Sequence, residues 1–355
     1  MEGAASSIDD ISRAVAAYNF RTVHPQLRFG TASDRYAGWI GQVYPAAMES
    51  EVTTRRRKLG SASFEERLVP VSSAADYFRH FAVLELDFTY YRPLLDVDGT
   101  RTSSLNSIER YLEWVPDDAT FLLKVPRMFF SRWLRTSTGG KPGHVANGDY
   151  LAVDAYLRMF HEPATRTLGT RLGGIVFEQE YQRKGDSPTS AEFVDELDEF
   201  FAHVPRDAAL HIELRSEHLL TPDYFDWLET TGIGHVYSHW TWLPPIRKQW
   251  KMSGERFTSA SGDAIVRLLT PLRVTYADAY ARTTPFDRVN PEIAASDQAR
   301  RMIEDTAALA FKSIDQGKTL NIIANNRAWG NAPDLAATVA ERVIAEMRRR
   351  DQERP

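Results

Sequence analysis

The stretch Phe121-Leu122-Leu123-Lys124-Val125-Pro126-Arg127 decides the fold of this chain, because a short apolar run ends abruptly there at a cation and a proline. Apolar runs of roughly four to eight residues bounded by a turn signal are typical of strands buried on both faces, as in a parallel sheet. Polar side chains gathered at the carboxyl ends of parallel strands are where (β/α) barrels carry their sites. The pattern therefore predicts the place of a site together with the fold. Similar runs that end at a charged or amide side chain occur at 83–87, 174–178, 210–215, 235–239, 264–267 and 320–326.

These runs alternate with amphipathic or capped helical segments, which predicts an α/β fold, a (β/α)8 barrel of the TIM type in a single domain. We expect an N-terminal helical extension over residues 1–25, the barrel over 26–350 and a short tail over 351–355. A structureless segment as long as 32–71 is unusual, so we expect it to be functional or partly ordered. The loop after Lys124 carries a hinge-like Gly139-Gly140 pair. The predicted strands are 27–31, 82–87, 121–124, one that ends near 178, 209–215, 235–238, 264–268 and 319–324, and the predicted helices are one that begins at Ser7 and those at 73–81, 103–114, 149–160, 189–204, 221–230, 291–316 and 334–349.

Composition excludes several classes of site. The 355 residues include no cysteine, which removes disulfides, thiolate zinc sites, iron–sulfur clusters and a cysteine nucleophile. A net charge of -5 gives no global attraction to nucleic acid or to an anionic membrane. The sequence shows no signal peptide and no apolar window of membrane-spanning length, so we expect a cytoplasmic protein with no membrane contact.

Several motifs, in order along the chain, resemble the TIM-barrel family of unknown function called DUF72, or YecE-like. The resemblance covers roughly residues 27–336, and it implies the barrel fold more firmly than any activity. Three family histidines are missing, because Phe130-Ser131, Ser216 and Leu269-Thr270 stand where the family tends to carry Thr-His, His and His-Gly. Glu178-Gln179-Glu180 likewise replaces Gln-x-Pro, so the chain resembles a divergent member. The motifs that carry the resemblance are Gly30-Thr31, Trp39, Gly41, Tyr44-Pro45, Glu85 to Tyr91, Phe121 to Pro126, Leu172-Gly173, Glu213-x-Arg215, Arg267, Asn325-Asn326, Gly330 and Ala332.

If the barrel is correct, its strand ends bring acidic, basic and amide side chains to one rim. Lys124 is the leading candidate: it either pairs with Glu85 or Glu213, or has a lowered pKa that suits proton transfer or imine formation. A cluster of both charge signs suits catalysis, although it also fits a structural ion-pair network. We predict Lys124, Glu213, Glu85 and Glu178 as catalytic residues, and Arg215, Arg267, Asp87, Tyr91, His239, Trp242, Asn325 and Asn326 as substrate-binding residues.

Two other chemistries use the same rim. Glu178 and Glu213 are a candidate acid and base for glycoside cleavage, with Trp39, Trp133, Trp240 and Trp242 as faces for a sugar or base. A divalent metal site is an alternative with weaker support, because strand alternation makes only two ligands credible. No metal or other cofactor is predicted. The candidate metal ligands are Glu178, Glu180, His211, Glu213, His235 and His239.

The first hypothesis is an enzyme of hydrolase or lyase type that acts on a small anionic or phosphorylated molecule. Lys124 and Glu213 would then transfer protons, and the planar guanidinium groups of Arg215 and Arg267 would hold the anion. The second hypothesis is a barrel that binds a ligand or a nucleic-acid strand without turnover, through the basic and aromatic loops at 127–135, 240–250 and 273–282. A metal-dependent, nuclease-like hydrolase is the third. The sequence specifies neither the substrate nor an oligomeric state.

Overall fold

The chain forms a closed barrel of eight parallel strands, as predicted. The computed structural model describes residues 7–60, 62–138 and 141–353, so the Gly139-Gly140 pair lies outside the described residues. Each strand pairs with its sequence neighbour, and the eighth closes the barrel on the first through the register Leu27 to Leu320. The barrel strands are β1 Leu27–Ala32, β2 Val83–Leu86, β3 Thr120–Lys124, β4 Leu172–Glu178, β5 Leu210–Glu213, β6 Gly234–His239, β7 Asp263–Leu268 and β8 Thr319–Ala324.

The barrel interior has two layers that matter for the site. A separate apolar cluster fills the middle of the barrel. Because side chains alternate along a strand, the next inward residue on each of several strands is polar and lies one layer nearer the carboxyl ends. Val83 is thus followed by Glu85, and Leu122 by Lys124. The apolar layer consists of Ala32, Val83, Leu122, Val176, Val236, Ile265 and Ile323.

Helices surround the barrel, and helix α1 covers Ile8–Ala16, with Ser7 and Asp10 forming a capping box. It packs on the last helix, where Tyr18 donates a hydrogen bond to Asp334. None of the helices in the described ranges is both long and apolar enough to cross a membrane. The other helices are α2 Ala74–His80, α3 Ser103–Leu112, α4 Arg127–Phe130, α5 Val153–Tyr156, α6 Glu162–Leu168, α7 Ser190–Phe201, α8 Pro222–Thr231, α9 Ile246–Met252, α10 Tyr276–Thr283, α11 Pro291–Ala294, α12 Asp297–Asp315 and α13 Ala332–Gln352.

The predicted bounds of two helices were wrong. The helix predicted over 149–160 begins at Val153 and continues through a π turn, Leu157–His161, into α6. That turn accommodates Pro163, which has no N–H to donate to the preceding turn. The helix predicted over 291–316 is broken at Ala295, because the side chain of Ser296 accepts a hydrogen bond from the Ala299 N–H and starts a new helix.

The long βα loops contain ordered structure. The loop after β1 forms an antiparallel hairpin of Thr53–Leu59 and Ala62–Leu68, which we call the first hairpin. The loop after β3 forms a second hairpin of Trp133–Thr138 and Lys141–Ala146. Helices α9 and α10 occupy the loops after β6 and β7. These loops enclose the space above the carboxyl ends of the strands.

Candidate functional site

A cavity of about 1500 Å³ opens at the carboxyl-terminal end of the barrel. Ligand pockets commonly measure roughly 300–1000 Å³, so this cavity has room for more than a simple ion. Its lining residues include ten arginines and lysines against seven aspartates and glutamates, although the whole chain carries 43 basic and 48 acidic residues. The basic side chains are thus concentrated where a ligand would enter.

Lys124, the last residue of β3, lies on the cavity floor and is 6% exposed. Its Nζ lies 2.6 Å from Glu178 Oε2 and 3.4 Å from Asp87 Oδ1, and it lies 4.4 Å from the ring centroid of Tyr90. Burial alone would lower the pKa of Lys124, but the Glu178 and Asp87 carboxylates outweigh it and raise the pKa. Lys124 is therefore positively charged at neutral pH. Its partners are Glu178 and Asp87, whereas the sequence suggested Glu85 or Glu213.

Glu178, at the end of β4, connects three cations. Its Oε2 accepts from Lys124, from Arg215 Nη2 at 2.8 Å and from Arg267 Nη1 at 3.2 Å. Burial would raise the pKa of Glu178, but Arg215, Lys124 and Arg267 hold it well below its usual range. Glu178 is therefore an ionised carboxylate at neutral pH. The register pairs it directly with Glu213 on β5, so the arginines also separate two neighbouring acids.

Arg267 projects from β7 into the centre of the barrel and is 2% exposed. Its Nη2 donates to Glu85 Oε1 at 2.5 Å, and its Nη1 donates to Glu213 as well as to Glu178. Ser238 Oγ donates to the second oxygen of Glu213. Glu213 is fully buried and is not among the cavity-lining residues. Its carboxylate therefore binds the arginines and does not face the cavity. This position differs from the proton-transfer role that the sequence suggested for Glu213.

Glu85 and Asp87 lie two residues apart on one face of the chain as it leaves β2. Among the described residues, four carboxyl groups are in ion-pair contact here with three cations, Lys124, Arg215 and Arg267, so one carboxyl is expected to keep its proton. Burial raises the pKa of Glu85 to about 8, since the opposing effect of Arg267 is the smaller one. Burial would also raise the pKa of Asp87, but Lys124 and Arg267 keep it lowered. At neutral pH the pair thus holds one proton, on Glu85, while Asp87 is ionised.

Three predicted binding residues point elsewhere. His239 does not line the cavity, because Ser238 faces inward on β6 and the next side chain must face outward. Asn325 accepts a hydrogen bond from the Arg327 N–H and caps the turn Asn326–Ala328. Asn326 Oδ1 accepts from Trp39 Nε1 at 3.1 Å and from the Ala332 N–H at 2.8 Å. These contacts hold loops together, so neither amide oxygen faces the cavity.

An aromatic wall lies on one side of the cavity. Tyr181 packs against Trp240 at 6.2 Å and against Trp242 at 6.1 Å between ring centroids, and Arg215 lies 4.7 Å from the Trp240 ring centroid. Trp242 is 45% exposed, and Tyr91, another predicted binding residue, is 68% exposed on the same cavity. Of the four predicted tryptophans, Trp39 is the one that is fully buried away from the cavity. The predicted aromatic face therefore exists, with Tyr181 as a member that the sequence interpretation missed.

Other cavity residues were also missed. Asp34, which follows β1, is buried and accepts a hydrogen bond from Tyr111 at 2.6 Å, and burial raises its pKa to about 6. Tyr90 lies beneath Lys124 and donates to Glu180 at 3.2 Å. Arg327 follows the predicted Asn325-Asn326 pair directly and does line the cavity. Each of these residues comes just after a predicted strand, so extending the search by a few residues would have found them.

The six candidate metal ligands are not assembled into one site. Among the described residues, no group of three or more histidine, aspartate and glutamate side chains is placed to hold a metal ion. His211 packs inside the barrel against Gly174 and Gly234, whereas His235 packs outside it against Phe225 and Tyr237. Burial lowers the pKa of His211 to about 4 and that of His235 to about 3, so both imidazoles are neutral.

Comparison with known proteins identifies the family. Two solved structures are similar to this chain: a DUF72 family protein from Thermotoga maritima (15% identity, TM-score 0.49, covering 90% of this chain and 99% of that one) and one from Enterococcus faecalis (14% identity, TM-score 0.47, covering 89% and 95%). No curated protein matches the sequence. The family model described as "Protein of unknown function DUF72" matches residues 28–355. The chain therefore belongs to the DUF72 family.

Proposed function

We propose that this DUF72 protein is an acid–base enzyme of hydrolase or lyase type, whose substrate is a small molecule with a ring and an anionic group. The observation that carries the proposal is the pair Glu85 and Asp87, whose pKa values are driven apart beside the fixed cation Lys124. Two carboxyl groups with divided protonation, at the mouth of a barrel, are the arrangement that acid–base catalysis needs.

Asp87 is the member of the pair that meets a substrate. Both residues line the cavity, but the Asp87 side chain is 27% exposed whereas Glu85 is fully buried. At neutral pH the pair holds one proton, on Glu85, so it can accept a second proton at Asp87 or release the one on Glu85. Because the two groups are coupled, the pair titrates as a unit, and its upper pKa is near 8.

Lys124 supplies positive charge and not a nucleophile. Its raised pKa argues against the imine chemistry considered from the sequence, since an imine requires the neutral amine. Held by Glu178 and Asp87, the ammonium is oriented before the substrate arrives. A preorganised cation of this kind stabilises negative charge that develops in a transition state.

The walls of the cavity favour a ligand with two different parts. Trp240, Trp242 and Tyr181 offer faces to a sugar, base or other ring. The excess of basic over acidic lining residues favours an anionic substituent. The cavity volume accommodates both parts at once.

The experiment is a turnover screen with matched variants. Sugar phosphates, nucleotides and aromatic carboxylates are incubated with the protein, and products are followed by NMR. We expect the wild type to convert at least one compound, and Asp87→Asn and Lys124→Met to lower kcat by about 100-fold or more. Asp195→Asn, an exposed substitution on α7, is the matched control and is expected to keep the wild-type rate.

Two results would contradict the proposal. If Asp87→Asn and Lys124→Met, both shown to be folded, turned over the substrate like the wild type, the pair would not be catalytic. If a compound bound in the cavity but the wild type converted nothing in the panel, the binding hypothesis without turnover would replace the enzyme.

A further inference from the structure

A second group of polar residues lines the same cavity as the Lys124 network. Tyr276 begins α10 after β7, and Arg327 lies in the turn Asn326–Ala328 after β8. The guanidinium carbon of Arg327 lies 4.4 Å from the ring centroid of Tyr276. Arg57, from the first hairpin, donates from Nη2 to the Tyr276 hydroxyl at 2.9 Å. We call Arg57, Tyr276 and Arg327 the Tyr276 cluster.

Arg327 differs from the other cations that face the cavity floor. Lys124, Arg215 and Arg267 each contact two or more carboxylates. Arg57 is partly neutralised by Glu66 at 3.0 Å. Within the described ranges Arg327 forms no ion pair, and its Nε is buried without a hydrogen-bond partner. It is therefore a preoriented cation whose charge and donors remain available for a ligand.

The position of the cluster suits recognition of substrate anions. β1, β7 and β8 are neighbours in the barrel, so their loops converge on one side of the cavity. TIM barrels frequently bind phosphate with the loops that follow strands seven and eight. Arg327 and Asp87 both line this cavity, and the charge of Arg327 is among the causes that keep the pKa of Asp87 lowered. An anion on Arg327 would thus occupy the same cavity as the Glu85–Asp87 pair.

The sequence placed the anion on Arg215 and Arg267 instead. Arg267 already contacts Glu85, Glu178 and Glu213 in the barrel centre, and an added anion would meet those carboxylates. Arg215 is bound by Glu178 and Glu213 and lies against Trp240. Like-charge repulsion therefore disfavours an anion at either residue.

We propose that Arg327, held in place by Tyr276 and flanked by Arg57, binds the phosphate or carboxylate group of the substrate. A planar guanidinium recognises either group by two parallel hydrogen bonds. The identity of the ligand as a substrate rests on the proposed function, but the binding of its anionic group does not require turnover. The two proposals can therefore fail separately.

The test is isothermal titration calorimetry with inorganic phosphate and, separately, with benzoate, in a buffer free of both. We expect at least one of the two anions to bind the wild type, and Arg327→Gln to weaken that binding at least tenfold. Arg327→Lys is expected to be intermediate, because it keeps the charge but loses the planar donors. Asp87→Asn is expected to strengthen binding, because it removes a negative charge from the cavity that the anion enters. Arg110→Gln removes the same charge from another part of the cavity wall and is the matched control.

Each outcome decides the proposal. A tenfold loss in Arg327→Gln with little change in Arg110→Gln supports it. Equal losses in both variants would show a general effect of cavity charge and would overturn it, as would wild-type affinity in Arg327→Gln or no binding of either anion at millimolar concentration. If Arg327→Gln did not fold, Arg327→Lys would decide: weaker binding than in Arg110→Gln would support the proposal, and wild-type affinity would overturn it. Loss of turnover in Asp87→Asn tests the enzyme and is independent of these results.

Discussion

Lys124 Nζ lies 2.6 Å from Glu178 Oε2, and this ion pair decides what the lysine can do. A lysine at the end of an apolar strand could have been a neutral amine, because burial disfavours its charge. Glu178 reverses that preference with the help of Asp87, so the residue stays protonated at neutral pH. The chemistry open to Lys124 is therefore electrostatic.

Removal of the Glu178 charge should make Lys124 reactive. In Glu178→Gln, burial and Arg267 would lower the pKa of Lys124 and only Asp87, at 3.4 Å, would remain as a close partner. We expect acetic anhydride at neutral pH to label Lys124 in Glu178→Gln much faster than in the wild type, as measured by mass spectrometry. Lys248, an exposed lysine, is the internal standard. Glu180→Gln is the matched control, and faster labelling in that variant as well would attribute the effect to loop opening.

Arg267 should contribute more to stability than any surface arginine. Arg267→Met leaves Glu85 and Glu213 buried without their main cation, and breaking a buried network in this way costs about 3–5 kcal/mol. Arg300→Met removes an exposed pair with Asp297 and should cost at most about 1 kcal/mol. Urea unfolding of both variants measures the difference. If both variants lost the same free energy of unfolding, water would be solvating Glu85 and Glu213 in place of Arg267.

The sequence could predict the barrel and the inward acids and bases, because both follow from local patterns. Glu85, Lys124, Glu178 and Arg267 each end an apolar run, and alternation alone carries them to the same rim. It could not predict which charges pair, since that depends on the stagger of neighbouring strands. Lys124 was thus expected beside Glu85 or Glu213 but pairs with Glu178 and Asp87.

The loops were harder to predict than the barrel. The strand Thr53–Leu59 is almost entirely polar, so no apolar alternation marked the first hairpin. Helix α10 did have a signal that was overlooked, because Thr275 caps it and accepts from the Asp278 N–H. Since these loops carry Arg57 and Tyr276, the Tyr276 cluster could not be assembled from the strand pattern alone.

The proton on Glu85 should make stability depend on pH. The folded pKa, about 8, exceeds the ordinary value of 4.5, so the folded state keeps a proton that the unfolded chain loses. The stabilisation is complete below about pH 4.5, and it falls by up to about 1.4 kcal/mol per pH unit until about pH 8. Glu85→Gln removes this loss. We therefore expect its free energy of unfolding, relative to the wild type, to rise between about pH 5 and pH 8.

Urea unfolding at several pH values measures this difference, and Glu109→Gln, on the outer helix α3, supplies the control. The free energy of unfolding of the control should change with pH in the same way as that of the wild type. A Glu85→Gln curve that also ran parallel to the wild type would show that Glu85 is ionised in the folded protein.

Gly30 is required by the close approach of β1 to β2. A Cβ added at Gly30 would lie 2.0 Å from the Val83 carbonyl oxygen, which is backbone and cannot rotate away. The strands cannot separate easily, because the Tyr77 hydroxyl accepts from the Thr31 N–H at 2.9 Å and donates to the Val83 carbonyl at 2.8 Å. We expect Gly30→Ala to lower the free energy of unfolding by about 3 kcal/mol or more.

Gly148→Ala is the control for this substitution, because nothing lies within 4 Å of a Cβ added there. Its free energy of unfolding should stay close to that of the wild type, or rise slightly as the unfolded chain loses freedom. Since Glu85 follows Val83 on the same face of β2, a shift of that strand would also move the Glu85–Asp87 pair. Gly30→Ala should therefore change the pH dependence of unfolding as well as its free energy, and an unaltered pH profile would show that β2 stays in place.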